Sequence, residues 1–128
     1  MKFFLLLIVS FIFSFAGFSQ QKDIKNENAT PSKKVILQKG GIKLIGGSGN
    51  SINDAILITG AKDEKSGVDA ENYLFEKSFG KKNIDWKVLR HKVINKGDRV
   101  YELLWVQTKS PERKLEVYFD ITEFFGKW

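Results

Sequence analysis

The chain has 128 residues, no cysteine and a formal net charge of +6, from 21 lysine and arginine residues against 15 aspartate and glutamate residues. This length allows one small domain, and the lack of cysteine excludes a disulfide framework, a thiol nucleophile and a lipid-modified cysteine. A basic balance attracts polyanions and membrane surfaces. Because the lysines are interspersed with acids and no recognised nucleic-acid motif is present, we expect a solvated basic surface and no nucleic-acid partner.

Residues 1–19 have the pattern of a secretory signal peptide. Lys2 provides a positive start, the run from Phe3 to Ala16 is apolar and uncharged, and small residues follow at Gly17 and Ser19. The apolar run is short for a membrane span, which needs about 20 residues, so an uncleaved anchor is the disfavoured alternative. The sequence predicts cleavage after Ser19 or Ala16, a secreted or periplasmic location, and no stable membrane anchor after cleavage.

Residues 20–34 are polar and lack periodic apolar positions, which predicts a flexible tail before a single domain over 35–128. At the start of that domain, Val35–Leu37 and Ile42–Ile45 flank two glycines and indicate a hairpin. The glycine-rich stretch over 46–51 lacks the Lys-Ser/Thr ending of a phosphate-binding loop. We therefore interpret it as a connector and expect no nucleotide cofactor.

A short apolar strand over 55–59 is followed by one predicted helix. Ser66 and Asp69 have the spacing of a capping box, and the helix should run from about Gly67 to Phe79 before Gly80 ends it. The apolar arc of this helix contains Val68, Leu74, Phe75 and Phe79. Glu71 and Ser78 interrupt that arc, so the apolar stripe is imperfect.

Three strand-like runs follow, rich in β-branched and aromatic residues: Ile84–Ile94, Arg99–Thr108 and Arg113–Ile121. The connections Asn95–Asp98 and Lys109–Glu112 contain glycine and proline, as turns do. If each connection has four residues, the strands pair as antiparallel neighbours with a fixed register, and every side chain is assigned to one face.

In this register Ile94 faces Arg99 and Thr108 faces Arg113. The predicted core face consists of Leu89, Val93, Val100, Leu104, Val106, Leu115, Val117, Phe119 and Ile121. The opposite face consists of Trp86, Val88, Arg90, Lys92, Tyr101, Leu103, Trp105, Glu116, Tyr118 and Asp120. A slip of one residue in any strand would exchange its two faces.

The order strand, helix, strand, strand, strand predicts an α+β domain in which one helix packs on a four-stranded antiparallel sheet, with the N-terminal hairpin as an optional addition. Over 55–121 this order resembles the cystatin-like arrangement of one helix wrapped by an antiparallel sheet. The resemblance implies the fold alone, since no inhibitory motif of that family is present. The stretches Gly67–Glu71, Tyr118–Thr122 and Phe124–Gly126 are also similar to a small exported bacterial domain of unknown function, and this likeness implies no activity.

The second sheet face carries the candidate binding residues, which combine large rings with cations: Trp86, Arg90, Lys92, Tyr101, Trp105 and Tyr118. Such surfaces suit stacking on sugars or packing against a protein. We therefore expect a secreted or periplasmic, non-catalytic binding module whose partner is a protein or a polysaccharide. In one alternative, the Val35–Ile45 hairpin or the Phe124–Trp128 segment covers this face as a second core. In another, the face is the seam of a structural homodimer.

His91 is the only histidine, and the register places it opposite Glu102. A histidine–carboxylate pair suits a general base, so a small exported hydrolase is the alternative function. No serine is placed beside the pair, there is no cysteine, and one histidine is too few for an ordinary zinc site. The leading hypothesis therefore contains no catalytic residue, no metal and no cofactor.

Overall fold

The computed structural model describes residues 34–128. The predicted signal peptide over 1–19 lies outside the described residues, as does the predicted tail over 20–34 apart from its last residue. In the described part of the chain, no helix is long and apolar enough to cross a membrane.

Six strands form one mixed sheet with a single α-helix, which confirms the α+β class. The strands are β1 (Val35–Lys39), β2 (Ile42–Ile45), β3 (Ile56–Thr59), β4 (Trp86–Lys96), β5 (Arg99–Lys109) and β6 (Glu112–Asp120), and the helix is α1 (Glu64–Phe79). A short 3-10 turn, Ile52–Asp54, precedes β3. The spatial order is β1-β2-β3-β6-β5-β4. All neighbours are antiparallel except β3 and β6, which are parallel.

The six strands are the four predicted strands together with the optional N-terminal hairpin, and the predicted antiparallel sheet is wrong in one pairing, the parallel pair of β3 and β6. The β1–β2 hairpin is integral to the sheet, because β2 pairs with β3. α1 carries the chain back across the sheet before the β4-β5-β6 meander, so β6 runs in the same direction as β3. Ile56 lies beside Phe119 in this parallel pair, and both side chains are buried. This contact departs from the all-antiparallel sheet that the cystatin-like order implied.

The helix begins three residues before its predicted start. Asp63 is the N-cap: its carboxylate accepts from the Ser66 N–H at 2.8 Å, and the Asp63 N–H donates to the Ser66 hydroxyl at 3.3 Å. The Glu64 N–H donates to the Lys127 carbonyl at 2.8 Å. This distant partner satisfies another of the free N–H groups of the first turn. The predicted start was wrong because the capping box that forms is Asp63 with Ser66, one turn before the predicted pair of Ser66 and Asp69. The predicted end at Phe79, with Gly80 as the C-cap, is confirmed.

The hydrophobic core lies between α1 and one face of the sheet. Its buried members are Leu44, Ile56, Ile58, Ala61, Ala70, Phe75, Trp86, Leu104, Val106, Phe119, Ile121 and Phe124. Phe75 is at its centre, with ring centroids 5.1 Å from Trp86 and 5.8 Å from Phe119. Tilted and edge-on aromatic contacts of this kind add to the stabilisation from burial.

The predicted pairing of β5 with β6 is confirmed. Thr108 faces Arg113, and Leu104 faces Val117. The turn between these strands has only two residues, yet the register agrees because the predicted four-residue connection was symmetric about the same centre. The faces assigned to β5 and β6 are therefore correct.

The predicted register of β4 is wrong in two ways. The β4–β5 turn is the two-residue pair Gly97-Asp98, with Gly97 at φ 62°, so Ile94 faces Tyr101 instead of Arg99. A β-bulge at Leu89 also interrupts the pairing. The extra residue reverses the facing of every side chain before it.

Three predicted assignments in β4 change as a result. Trp86 and Val88 face α1 and pack in or against the core, where the regular register had placed them on the opposite face. Leu89 at the bulge is exposed rather than buried. Val93 keeps the predicted side but is 37% exposed, so it is not a core residue.

Replacing Gly67 with alanine should lower the free energy of unfolding by about 1 kcal/mol, although alanine is the better helix former by about that amount. A Cβ atom at this position would overlap the ring of Phe124, and overpacking costs about 1–3 kcal/mol. Urea denaturation measures the change, with Ser78→Ala at an exposed position of the same helix as the control. A Gly67→Ala variant more stable than the parent would contradict this packing.

Candidate functional site

Five of the six predicted binding residues share the sheet face opposite α1. Arg90 pairs with Trp105 across β4 and β5, and Lys92 pairs with Leu103, which in turn pairs with Tyr118 on β6. Tyr101 lies two residues before Leu103 on β5 and therefore points the same way. We call this surface the aromatic face: Arg90, Lys92, Tyr101, Leu103, Trp105, Glu116 and Tyr118.

The sixth predicted residue, Trp86, is not part of this surface. Its side chain is 2% exposed, and its indole N–H donates to the Gly80 carbonyl at 2.8 Å. The bulge at Leu89 is the reason, because it turns the first residues of β4 toward the helix. Trp86 is therefore a structural residue that ties β4 to the end of α1.

Trp105 is held in place by one contact on the face of its ring and one at the ring edge. The guanidinium carbon of Arg90 lies 4.0 Å from the ring centroid. The indole N–H donates to Glu116 Oε1 at 3.0 Å. A stacked cation contributes about 0.5–1 kcal/mol at an exposed site, and the hydrogen bond fixes the tilt of the ring. The half-buried indole is thus oriented before any partner arrives.

The end of β6 beside this surface is also firmly built. Nε and Nη2 of Arg99 both donate to Asp120 Oδ2, at 3.0 and 2.7 Å. The other carboxylate oxygen accepts from the Thr122 hydroxyl at 2.6 Å. The hydrogen bond to Asp120 raises the pKa of Arg99. The half-buried Tyr101, opposite Asp120, thus rests beside an ordered ion pair.

The two segments considered as covers for the aromatic face lie elsewhere. The β1–β2 hairpin continues the sheet past β3, and the ammonium group of Lys39 on β1 lies 5.2 Å from the ring of Tyr73 on α1. Phe124, in the C-terminal segment, is buried against Gly67 of the same helix. Both segments therefore reach the helix side, and the second core proposed from either of them does not form.

The predicted contact between His91 and Glu102 is present. His91 Nδ1 lies 3.2 Å from Glu102 Oε2, although the two residues are diagonal neighbours because Glu102 pairs with Val93. The imidazole is 67% exposed and the carboxylate is 13% exposed. This pair lies on the side of the sheet that carries α1, so it is separate from the aromatic face.

Glu71 extends this pair into the protein and was missed as a site residue. Its side chain is 2% exposed, and its Oε2 atom has no hydrogen-bond partner within residues 34–128. Burial raises the pKa of Glu71 well above its ordinary value, and the nearby Glu102 carboxylate raises it further, while Lys82 opposes the shift. The sequence feature that could have identified Glu71 as a site residue is its position within the apolar arc of α1.

Other concave surfaces are open and mixed in charge. A pocket of about 380 Å³ near the start of β4 is lined by Asp85, Lys87, Lys109 and Glu112, among others. A second, of about 510 Å³, lies at the end of α1 beside Tyr73. In the described part of the chain, no three histidine, cysteine, aspartate or glutamate side chains are grouped to hold a metal ion.

Fold and site together define a small α+β domain with one pre-ordered aromatic sheet face. No protein-family model, no curated protein and no solved structure matches this chain. The functional inference therefore depends on the geometry of the site.

Proposed function

We propose that this protein is a secreted or periplasmic, non-catalytic domain that binds another protein through the aromatic face. The observation that carries this proposal is the arrangement of Arg90, Trp105 and Glu116, in which a half-buried indole is held between a stacked cation and a hydrogen-bonded carboxylate. A few residues dominate the binding energy at protein interfaces, and tryptophan, tyrosine and arginine are enriched among them. An indole that is ordered beforehand loses little conformational freedom on binding.

The position of Arg90 favours a protein over a polysaccharide. A sugar ring binds by stacking on an open aromatic surface, and the guanidinium group lies 4.0 Å above the centre of the Trp105 ring. A protein partner can use the cation and the ring together, by placing a carboxylate against Arg90 or Lys92 and an apolar side chain beside the indole edge. Tyr101 and Tyr118, both half-buried, extend the apolar contact area.

Photo-crosslinking in the producing cells tests the proposal. A benzophenone amino acid replaces Tyr101 or Tyr118 in turn, and Tyr73 on α1 provides a matched tyrosine control on the other side of the domain. We expect one partner to be crosslinked from Tyr101 and Tyr118 and not from Tyr73. With the purified partner, Trp105→Ala should then weaken binding at least tenfold and Tyr73→Ala less than twofold.

Two results would overturn the proposal. Equal affinity of the parent and Trp105→Ala for the partner would remove the aromatic face from the interface. Crosslinks that join only two copies of this chain, with a mass in solution that rises with concentration, would support the structural homodimer instead.

A small exported hydrolase is the second candidate, supported by the 3.2 Å contact between His91 and Glu102. In that reading the carboxylate orients an exposed imidazole, which acts as a general base on a water molecule. A folded His91→Ala variant that loses a hydrolytic activity retained by Trp105→Ala would favour this candidate over the binding domain.

A further inference from the structure

The long strand β4 forms one edge of the sheet. It has 11 residues, Trp86–Lys96, and among the residues that the structure describes β5 is the only strand beside it, with an isolated bridge to Lys82 at Trp86. Arg90 and Lys92 of the aromatic face belong to this strand, so the edge and the proposed binding surface are continuous. An exposed edge offers a row of backbone N–H and C=O groups to an incoming strand.

The turn at the end of β4 determines which backbone groups point outward. Lys96 and Arg99 flank a two-residue turn, and such a pair exchanges hydrogen bonds within its own hairpin. Pairs alternate from there, so the N–H and C=O groups of His91, Val93 and Asn95 point away from β5. The bulge at Leu89 limits the regular edge to the residues that follow it.

The charge of this edge is of one sign. β4 contains Lys87, Arg90, Lys92 and Lys96 and no acidic residue. Like charges directly opposite each other destabilise a strand pair, so two copies of β4 repel one another. Edge lysines commonly prevent self-association, and the same repulsion leaves a strand of opposite charge as the favoured neighbour.

The side chains alternate in a way that defines the sequence of such a neighbour. Arg90, Lys92 and Lys96 point to the aromatic face. Val93, 37% exposed, points to the helix side together with His91. A complementary segment has carboxylates at alternate positions on the first side and apolar residues between them.

We propose that β4 is the docking edge for an extended acidic segment of the protein partner, which adds as a seventh strand with alternating carboxylate and apolar residues. This proposal rests on the proposed function and specifies how the partner reaches the aromatic face. Backbone hydrogen bonds to His91, Val93 and Asn95 supply the register. Arg90 and Lys92 select the charge.

The probes are three capped nine-residue peptides: one alternates glutamate and valine, one groups the same residues at opposite ends, and one alternates lysine and valine. They are titrated into the isotope-labelled protein, and amide shifts and hydrogen exchange are followed by NMR. We expect the alternating acidic peptide to shift and protect the amides of His91, Val93 and Asn95, with at least tenfold weaker binding of the other two. Equal binding of the lysine peptide, or unchanged β4 amides at millimolar acidic peptide, overturns the proposal.

A pair of variants tests the backbone contacts separately. Val93→Pro removes an outward N–H without removing a bond to β5, and proline is tolerated at such edge positions. Val93→Ala retains that N–H and serves as the control. We expect Val93→Pro to weaken binding of the alternating acidic peptide at least tenfold and Val93→Ala less than threefold. Equal affinities for the two folded variants contradict strand addition, and if Val93→Pro does not fold, the NMR mapping on the parent protein decides.

The two proposals fail in different ways. A crosslinked partner that depends on Trp105 and binds Val93→Pro as well as Val93→Ala supports the aromatic face and refutes the docking edge. A partner whose affinity is unchanged in Trp105→Ala refutes the proposed function, whatever the peptides do.

Discussion

Replacing Trp86 with alanine should lower the free energy of unfolding by about 3–5 kcal/mol, the range for removing a large buried aromatic side chain. The indole is 2% exposed, contacts Phe75 in the centre of the core, and donates to the carbonyl of Gly80 at the end of α1. Truncation therefore leaves a cavity and an unpaired carbonyl at once. The free energy of unfolding of a small domain is only about 5–15 kcal/mol. The loss caused by this single change should therefore be measurable by denaturation at room temperature.

The other two tryptophans provide matched controls in the same urea denaturation experiment. Trp128 is 97% exposed, so Trp128→Ala should change stability by less than about 0.5 kcal/mol. Trp105→Ala should cost about 1–2 kcal/mol, because a half-buried ring, one stacked cation and one hydrogen bond are lost. A loss at Trp105 as large as that at Trp86 would contradict the assignment of the two residues to opposite faces.

Replacing Glu71 with glutamine should stabilise the domain above neutral pH by about 1–3 kcal/mol, the cost of leaving a buried polar group poorly satisfied. Burial, and then the charge of Glu102, raise the pKa of Glu71 well above its ordinary value. Ionised Glu71 would place a second negative charge beside Glu102 in the core. The neutral amide retains the shape and can donate a hydrogen bond to the Glu102 carboxylate.

The direction of the pH dependence follows from the raised pKa of Glu71 in the folded state. Below the unfolded-state pKa of about 4.3, the Glu71 carboxyl is protonated in the folded and the unfolded state, and its contribution to stability is fully present. As the pH rises from there toward and through the folded-state pKa, the unfolded state releases its proton first, and stability falls by up to about 1.4 kcal/mol per pH unit. Glu71→Gln should remove this part of the slope.

Urea denaturation between pH 4 and pH 9 measures this difference. Glu76→Gln, at an exposed position on the same helix, is the control and should leave the slope unchanged. A Glu71→Gln variant with the same slope as the parent would mean that the carboxyl ionises freely in the folded protein, which is incompatible with its burial between α1 and β5.

The meander of β5 and β6 could be predicted from the sequence because alternation and turn position carry the necessary information. Leu115, Val117 and Phe119 alternate with polar residues, and any symmetric turn centred between Ser110 and Pro111 gives the same register. Five of the binding candidates were placed on one face for the same reason: Arg90, Lys92, Tyr101, Trp105 and Tyr118. The faces predicted for β4 after its bulge are also correct, because a register error of two residues leaves each side chain on the same face of the sheet.

The facing of Trp86 could not be obtained from the same pattern. A β-bulge has no fixed sequence signal, and Trp86-Lys-Val88 alternates equally well in either direction. The facing of Trp86 is determined by its ring contact with Phe75 and its hydrogen bond to the Gly80 carbonyl. Both partners belong to the helix that precedes the strand or to its C-cap. Local periodicity therefore predicts which residues alternate, whereas tertiary packing determines where the alternation is interrupted.

The partner of β3 and the partner of Glu71 also depend on tertiary structure. Ile56 and Phe119 are 63 positions apart in the chain, and nothing near either residue specifies a parallel pair. The sequence placed Glu71 in the apolar arc of the helix. It placed Glu102 opposite His91 in the sheet. Their proximity became apparent only with the helix docked on the sheet, because helix rotation and strand register together set the distance.

The accessibility of the three tryptophans in the monomeric protein is the most direct test of the aromatic face. The protein is labelled with 5-fluorotryptophan, the three fluorine signals are assigned with single Trp→Phe variants, and a soluble paramagnetic chelate is added. We predict strong relaxation of Trp128, intermediate relaxation of Trp105 and almost none of Trp86. A Trp105 signal as protected as that of Trp86 in a monomer would contradict an open face and, with it, the proposed binding function.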